Sequence, residues 1–328
     1  MQDRDVTIIG AGITGIMAAN TLRKEGIKDI HVIEKSKSVG GRLATRRIEN
    51  GKADHGAQFF TVRTSTLQEY ADAWVEKGWV KHWFGDPYPR YTSVDGMNHL
   101  VKRLSENIQV TLQAKVMDIK EVPGGFQVTL DNEESFKTGA ILITAPVPQA
   151  VELLQNQTLT LNVERIKELS NIQFQRALVG MFTMSKSTSL PSNGHVDKGL
   201  PEGVERIVDH HKKGISSIPV VSVYMRGEWS DHNFLHQDEL TLRAIKESVM
   251  DYIEPLHVKD EQLKKWRYAQ ASSMINQSYV NVHQVLPLYV AGDAFLRPTD
   301  QAGRTRFESA FLSGIDVGNQ LATMMKGI

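Results

Sequence analysis

The chain opens on a short apolar run, Val6-Thr7-Ile8-Ile9, whose β-branched residues predict a buried strand. Ile16, Ala19 and Leu22 then recur at helical spacing, so a helix is expected over residues 13–25, closed by Gly26. Ile30-His31-Val32-Ile33 predicts a second buried strand, and residues 6–33 read as a βαβ unit with parallel strands. Further on, a helix is expected over 97–104 and a strand over 110–116. Pro123-Gly124-Gly125 marks a hairpin between two alternating runs, 116–122 and 126–130. Ile141-Leu142-Ile143-Thr144 reads as another buried strand, stopped by Ala145-Pro146-Val147-Pro148. Near the end, Leu288-Tyr289-Val290-Ala291 repeats the form of the first strand, and a helix is expected over 306–324.

The middle third differs. Residues 187–216 carry most of the irregular Pro/Gly/Ser sequence. A strand is expected over 218–225, and Leu242, Ile245, Val249 and Ile253 predict an amphipathic helix over 240–253. This segment reads as a second, mixed domain inserted between the βαβ unit and its C-terminal return. A length of 328 residues agrees with about two domains. With 41% hydrophobic and 23% charged residues, long disorder is excluded. The 38 Lys and Arg balance 38 Asp and Glu, which leaves no basic field to hold a nucleic acid. The absence of cysteine excludes disulfides, cysteine nucleophiles, Cys-ligated metals and a thioether-tethered flavin. The charged start MQDRD does not read as a signal peptide, and no apolar stretch approaches the ~20 residues of a membrane helix. A cytoplasmic protein is expected.

Candidate chemistry begins at Gly10-Ala11-Gly12-Ile13-Thr14-Gly15, a G-x-G-x-x-G motif between a strand and a helix. Glu34 ends the next strand 19 residues after Gly15, where an acid would accept the adenosine ribose hydroxyls. Gly10 permits the tight turn, Gly12 lets backbone approach a pyrophosphate, and Gly15 permits close helix–sheet packing. The helix N-terminus offers free N–H groups and partial positive charge to phosphate. The motif alone does not choose between NAD and FAD; later residues do. Lys35 and the segment through Gly41 and Arg42 place glycines and a cation just past the ribose-binding strand. Gly292-Asp293 ends a strand with a carboxylate suited to a ribityl chain, which NAD lacks. The helix that follows points its N-terminus at the same region.

These segments, together with Asp54-His55-Gly56-Ala57-Gln58-Phe59-Phe60, Asp95-Gly96-Met97-Asn98-His99-Leu100, Thr144-Ala145-Pro146-Val147-Pro148-Gln149 and Trp266-Arg267-Tyr268-Ala269, resemble the renalase-like branch of the flavin amine oxidase superfamily. The resemblance runs over most of the chain and is poorest around 187–216. It implies an α/β fold, a glutathione-reductase-type FAD-binding Rossmann domain with an inserted mixed α+β substrate domain. The expected FAD-binding segments are 1–64, 91–150 and 283–328, and the substrate domain is 65–90 with 151–282. It also implies noncovalent FAD and a small-molecule hydride donor, dihydropyridine isomers of NAD(P)H, with oxygen as acceptor and hydrogen peroxide as product. Carried over by motif, Ala145 joins the cofactor site, Gln58 and Phe59 lie beside the isoalloxazine, and Val116 holds the adenine through its backbone. Arg306 and Phe307 meet the pyrimidine ring. Phe60, Trp266 and Arg267 are the candidate substrate wall, with His55 a further candidate.

Hydride loss from a dihydropyridine yields an aromatic cation and needs no general base, in keeping with the lack of an obvious one. Two alternatives stay open: an amine oxidase or desaturase-like enzyme of the same fold, and a nonenzymatic flavin-binding protein. Asp209-His210-His211 and the pair His232 and His236 lack a third ligand at motif spacing, so no metal site is expected. No nucleophile elbow or phosphate loop of the G-x-x-x-x-G-K-[ST] type is present.

Overall fold

A computed structural model describes residues 4–155, 158–300 and 302–327. The first stretch runs β1 (Arg4–Ile9), α1 (Ile13–Lys24), β2 (Ile30–Glu34), β3 (Thr45–Ile48), β4 (Gly51–Asp54), α2 (Ser65–Glu76), β5 (Val80–Phe84), β6 (Arg90–Ser93) and α3 (Met97–Ser105). It continues with β7 (Val110–Leu112), β8 (Val116–Val122), β9 (Gly125–Leu130), β10 (Ser135–Ile143), α4 (Val147–Gln155) and α5 (Val163–Ser170). The middle holds β11 (Phe174–Met184), β12 (His195–Val196), β13 (Val204–Asp209), β14 (Val220–Met225), α6 (Gly227–Asn233), α7 (Asp238–Ser248) and β15 (Val258–Ala271). Last come β16 (Tyr279–Asn281), β17 (Leu288–Ala291) and α8 (Phe307–Lys326).

The larger sheet follows the order β16-β17-β10-β1-β2-β7, with β8 and β9 attached beyond β10. β1 pairs in parallel with β2 on one side and β10 on the other, and β17 returns from the C-terminus to lie parallel to β10. Alternation along the strands sorts the two faces. Val6, Ile8, Ala140 and Leu142 pack under α1 and α8, whereas Ile141 and Ile143 pack under the β8–β9 ribbon and α4. β1, β2, β10 and β17 run in the same direction, so their carboxyl ends share one edge of the sheet, and the strand order switches sides at β1, the place where sheets of this kind receive ligands. α8 lies close along α1: a Cβ on Gly314 would sit 2.4 Å from the Thr14 carbonyl oxygen.

The smaller sheet is antiparallel, in the order β12-β13-β14-β11-β15. One face, with Leu178, Phe182, Val221 and Val223, packs against Leu242, Ile245 and Phe234 of the α6–α7 region. The other, with Val179, Met181, Val220 and Tyr224, packs on Ile48 and Ala53 of the β3–β4 hairpin. That hairpin is therefore the seam between the sheets.

Several expectations are corrected. The strand expected over 110–116 is two, β7 and β8, because Gln113 takes φ 55° and the chain there bonds to the end of β2. The helix expected over 240–253 stops at Ser248, although Val249 and Ile253 stay buried in the same cluster. Residues 187–216 are not all irregular, since β12 and β13 complete the smaller sheet. Segments assigned to the substrate domain also pack with the larger sheet. Leu67, Ala71 and Trp74 of α2 join its α1–α8 core. α4 and α5 cover its other face, and β16 pairs with β17. Their apolar faces match the nearer layer, which chain order does not reveal.

Candidate functional site

The three glycines of the first motif differ in what surrounds them. Gly10 takes φ +113°, and a Cβ there would lie 2.7 Å from Thr144 Oγ1. A Cβ on Gly15 would strike the Gly10 carbonyl oxygen at 2.1 Å, so its absence lets α1 close on the strand. Gly12 has ordinary backbone, φ −74°, and a Cβ would meet no protein atom within 4 Å. Neither conformation nor packing demands glycine there, so the open space in front of it is what the residue preserves. α1 has no side-chain cap and no acid in its first turn, which leaves its N–H groups and partial positive charge facing that space. Gly40 donates to the Ala11 carbonyl at 2.8 Å, laying the 39–42 loop along Gly12, with Gly41 beside it.

Glu34 ends β2. One carboxylate oxygen accepts the Ala11 N–H at 2.9 Å and the other the Ser36 N–H at 2.8 Å. Each oxygen keeps a further lone pair for a hydroxyl donor. The backbone of β2 also receives the Ala114 N–H, so Val116 begins β8 a few residues from this carboxylate. Ile13 and Thr14 open α1, with the Thr14 hydroxyl donating to Ala310 of α8. Ala145 follows the last residues of β10. Lys35 is exposed and reaches Gln149.

Asp293 follows the end of β17 at the same sheet edge, three strands from Glu34, or roughly 14 Å at ~4.8 Å per strand. Its carboxylate takes a bidentate pair from Arg42 at 2.7 and 2.5 Å, and Arg42 also reaches the Ala269 carbonyl and lies over Phe174. Such a planar, two-bond pair fixes geometry as well as charge, and it joins the N-terminal glycine loop to the C-terminal return. The neighbouring Gly292 N–H donates to Ser313 of α8. Arg306 caps α8 and pairs with Asp300 at 2.6 Å, yet its Nε and Nη1 are buried without a partner. Donors left in that state point to a missing acceptor.

The segment that follows β4 runs from this cleft into the seam. Lys213, fully buried, donates to Asp54 Oδ2 at 2.7 Å, the Gln58 carbonyl at 2.7 Å and Gln58 Oε1 at 3.1 Å. Three acceptors match the three protons of an ammonium. Burial pushes the Lys213 pKa down, and the Asp54 carboxylate opposes that. Asp54 Oδ1 accepts from Met97 N–H at the start of α3 and from the Thr45 hydroxyl. Gln58 Nε2 donates to the Asp54 carbonyl and to the Tyr224 hydroxyl, which itself donates to that carbonyl. Burial first, and Asp54 second, raises Tyr224 well above the usual phenol range. His210 shares a hydrogen bond with Ser222, whose hydroxyl donates to Asp54 O. Gln58 was marked by its motif; Lys213 and Tyr224 were not, and His210 was weighed only as a metal ligand. A lysine in His-His-Lys-Lys reads as surface charge, and only the fold buries it.

Trp266 donates from its indole to the His55 carbonyl at 2.6 Å, and the two rings stack at 5.5 Å. Burial holds the His55 pKa down to about 3, with Lys264 and Arg46 adding to the effect. The two remaining wall candidates lie in different surroundings. Phe60 is core, 2% exposed and stacked at 4.5 Å on Phe307, because it alternates with Phe59 along the chain. Arg267 is exposed on β15 and has no hydrogen bond or ion pair among the described residues. Phe307, expected at the pyrimidine ring, turns this same core-facing ring onto Phe60 and Phe311. Among the described residues no three metal-ligating side chains come together. Asp209 instead accepts the His211 and Lys212 N–H groups and the Thr188 hydroxyl. No helix among those residues is long and apolar enough to cross a membrane.

A parallel sheet with an uncapped glycine-rich turn, an acid on the next strand and a C-terminal return to the same edge defines a dinucleotide-binding α/β protein. Residues 8–74 accordingly match the NAD(P)-binding Rossmann-like domain, and residues 62–321 match the flavin containing amine oxidoreductase family. The chain belongs to that family. Membership brings with it the cofactor, FAD. The chain is 25% identical to renalase of Mus musculus over 199 residues, 54% of this chain and 57% of that one. It therefore spans little more than half the length of this curated relative. A putative protoporphyrinogen oxidase from Exiguobacterium sp. 255-15 has the same fold at a TM-score of 0.69. Identity is 13%, over 99% of this chain and 98% of that one.

Proposed function

We propose that this protein is a renalase-like oxidase that takes a hydride from a dihydropyridine isomer of NAD(P)H and gives the electrons to oxygen, forming hydrogen peroxide. The observation that carries the reading is the lack of a usable base around Gln58 among the described residues. Lys213 spends all three protons, His55 is held to about 3 and His195 to about 4 by burial, and Tyr224 is pushed up. Hydride loss to an aromatic pyridinium releases no proton, whereas an amine must first be deprotonated. The renalase likeness supports the same donor class.

FAD, held noncovalently, supplies the hydride acceptor. In this reading Gly12 and the α1 N-terminus receive the pyrophosphate, Glu34 accepts the ribose hydroxyls, and the Val116 backbone meets the adenine. Arg42 and Asp293 hold the middle of the cofactor, and Gln58 and Phe59 flank the isoalloxazine. The free Nε and Nη1 of Arg306 serve the pyrimidine edge. Lys213 and Tyr224 lock Gln58, which orients the donor's reacting carbon. The division into a glutathione-reductase-type FAD domain and a substrate domain built on the smaller sheet, and a cytoplasmic location, belong to the same proposal.

The test is anaerobic mixing of the purified holoprotein with dihydropyridine isomers and, separately, with primary and secondary amines. Bleaching of the visible flavin band by the dihydropyridines alone is expected. Bleaching by amines alone would overturn the reading in favour of an amine oxidase, and bleaching by neither would leave a flavin-binding protein without this activity.

A further inference from the structure

Phe59 turns away from the core into a cluster that none of its sequence motifs marks. Its ring meets Trp83 at 6.2 Å, Phe84 at 6.2 Å and His195 at 6.0 Å, bringing together the β5–β6 hairpin and β12. Two guanidinium groups lie over the same ring, Arg90 of β6 and Arg206 of β13, each 5.4 Å from its centre. Arg90 also lies 4.9 Å over Phe84. Lys213, the buried cation of the Gln58 network, is 4.7 Å from the Trp83 ring on the inner side.

Lys213 is neutralised by Asp54, Arg206 pairs with Glu205, and Asp197 lies within electrostatic reach of His195, but Arg90 has no carboxylate partner among the described residues. Its Nε is buried and unbonded, and so is Nε2 of His195. The His195 ring is 6% exposed and stays neutral, since burial and then Arg206 hold its pKa to about 4. Two cations over one aromatic ring repel each other, and two buried polar atoms left without partners cost stability. An anion placed between the guanidiniums relieves both, and the flat rings offer stacking faces to whatever carries it.

We propose that Arg90, Arg206 and His195, set around Phe59, form a subsite for the phosphate of a nucleotide-bearing ligand. The inference rests on the donor reading above, in which that ligand is the hydride donor and Phe59 follows Gln58 at the flavin. The aromatic faces take a flat ring, the two arginines take the phosphate oxygens, and His195 Nε2 adds a neutral hydrogen bond.

The test measures binding of ADP-ribose, which bears the phosphates but no reducible ring, to FAD-loaded enzyme by calorimetry. R90Q and R206Q keep much of the side-chain length over Phe59, and the flavin spectrum and melting curve report that each variant is folded and loaded. Each substitution is expected to weaken ADP-ribose at least tenfold and to flatten the salt dependence of its binding. Arg103→Ala, on the exposed side of α3, is the charge control and leaves the affinity unchanged. Wild type that does not bind ADP-ribose, or variants that bind it as well as wild type, would overturn the subsite. Because no hydride is transferred, the result stands apart from the donor assay. A subsite that binds ADP-ribose in a protein no dihydropyridine reduces would refute the donor and keep the site.

Discussion

Replacing Lys213 by methionine tests the centre of the seam. Lys213 and Asp54 are both fully buried, and the ammonium also closes two hydrogen bonds to Gln58. In Lys213→Met the volume stays nearly constant, but Asp54 keeps only the Met97 N–H and the Thr45 hydroxyl, both on Oδ1. Oδ2 is left as a buried charge without a partner. Removing one side of such a pair costs about 3–5 kcal/mol, most of it the uncompensated partner rather than the worth of the pair itself. For a chain of this size that is a fall in Tm of about 4–7 °C. The second variant, K213M/D54N, removes the stranded charge while keeping an acceptor for Met97, and should recover roughly 1–3 kcal/mol. The assay is urea and thermal unfolding of FAD-saturated protein followed by circular dichroism. A K213M protein within about 0.5 kcal/mol of wild type, or a double variant less stable than K213M, would refute the reasoning.

Three further outcomes follow from the same geometry. Gly12→Val enters space that no protein atom occupies, so the apoprotein should unfold as wild type does while FAD affinity, measured by fluorescence titration, falls at least a hundredfold. Gly314→Val should do the reverse. Its side chain meets the Thr14 carbonyl, and overpacking there should cost about 3 kcal/mol in a urea melt, with any cofactor loss following the unfolding. His55, neutral in the fold down to about pH 3, takes a proton in the unfolded chain below about 6.5. The unfolded state therefore binds more protons between those values, and stability should fall with acid by up to about 1.4 kcal/mol per pH unit. Urea midpoints from pH 6.5 to 4 should be flatter in His55→Gln than in wild type.

The larger sheet was legible because its strands announce themselves locally. Val6-Thr7-Ile8-Ile9, Ile30-His31-Val32-Ile33 and Leu288-Tyr289-Val290-Ala291 are buried on both faces and so read as largely apolar runs, with Thr7 and His31 as buried polar exceptions. β12 and β13 were missed, since His195-Val196 is too short for any period to show and Val204–Asp209 carries charge on its half-exposed positions. The end of α7 was overrun because Val249 and Ile253 keep the helical spacing after the helix has stopped. They are buried from a turn instead. In the site, glycines and the acid at Glu34 were readable because their roles depend on backbone within a few residues.

Local order along the chain thus determined the βαβ unit, the phosphate-receiving turn and the acid beside it, all consequences of side-chain period and glycine geometry. Only the tertiary structure decided which charges meet. It joined Arg42 to Asp293, buried Lys213 between Asp54 and Gln58, sent Phe60 into the core and brought Arg90 and Arg206 over Phe59. Those pairings span tens to hundreds of residues. Their energies come from burial and from the low dielectric around them, and neither property belongs to a residue until the chain has folded around it.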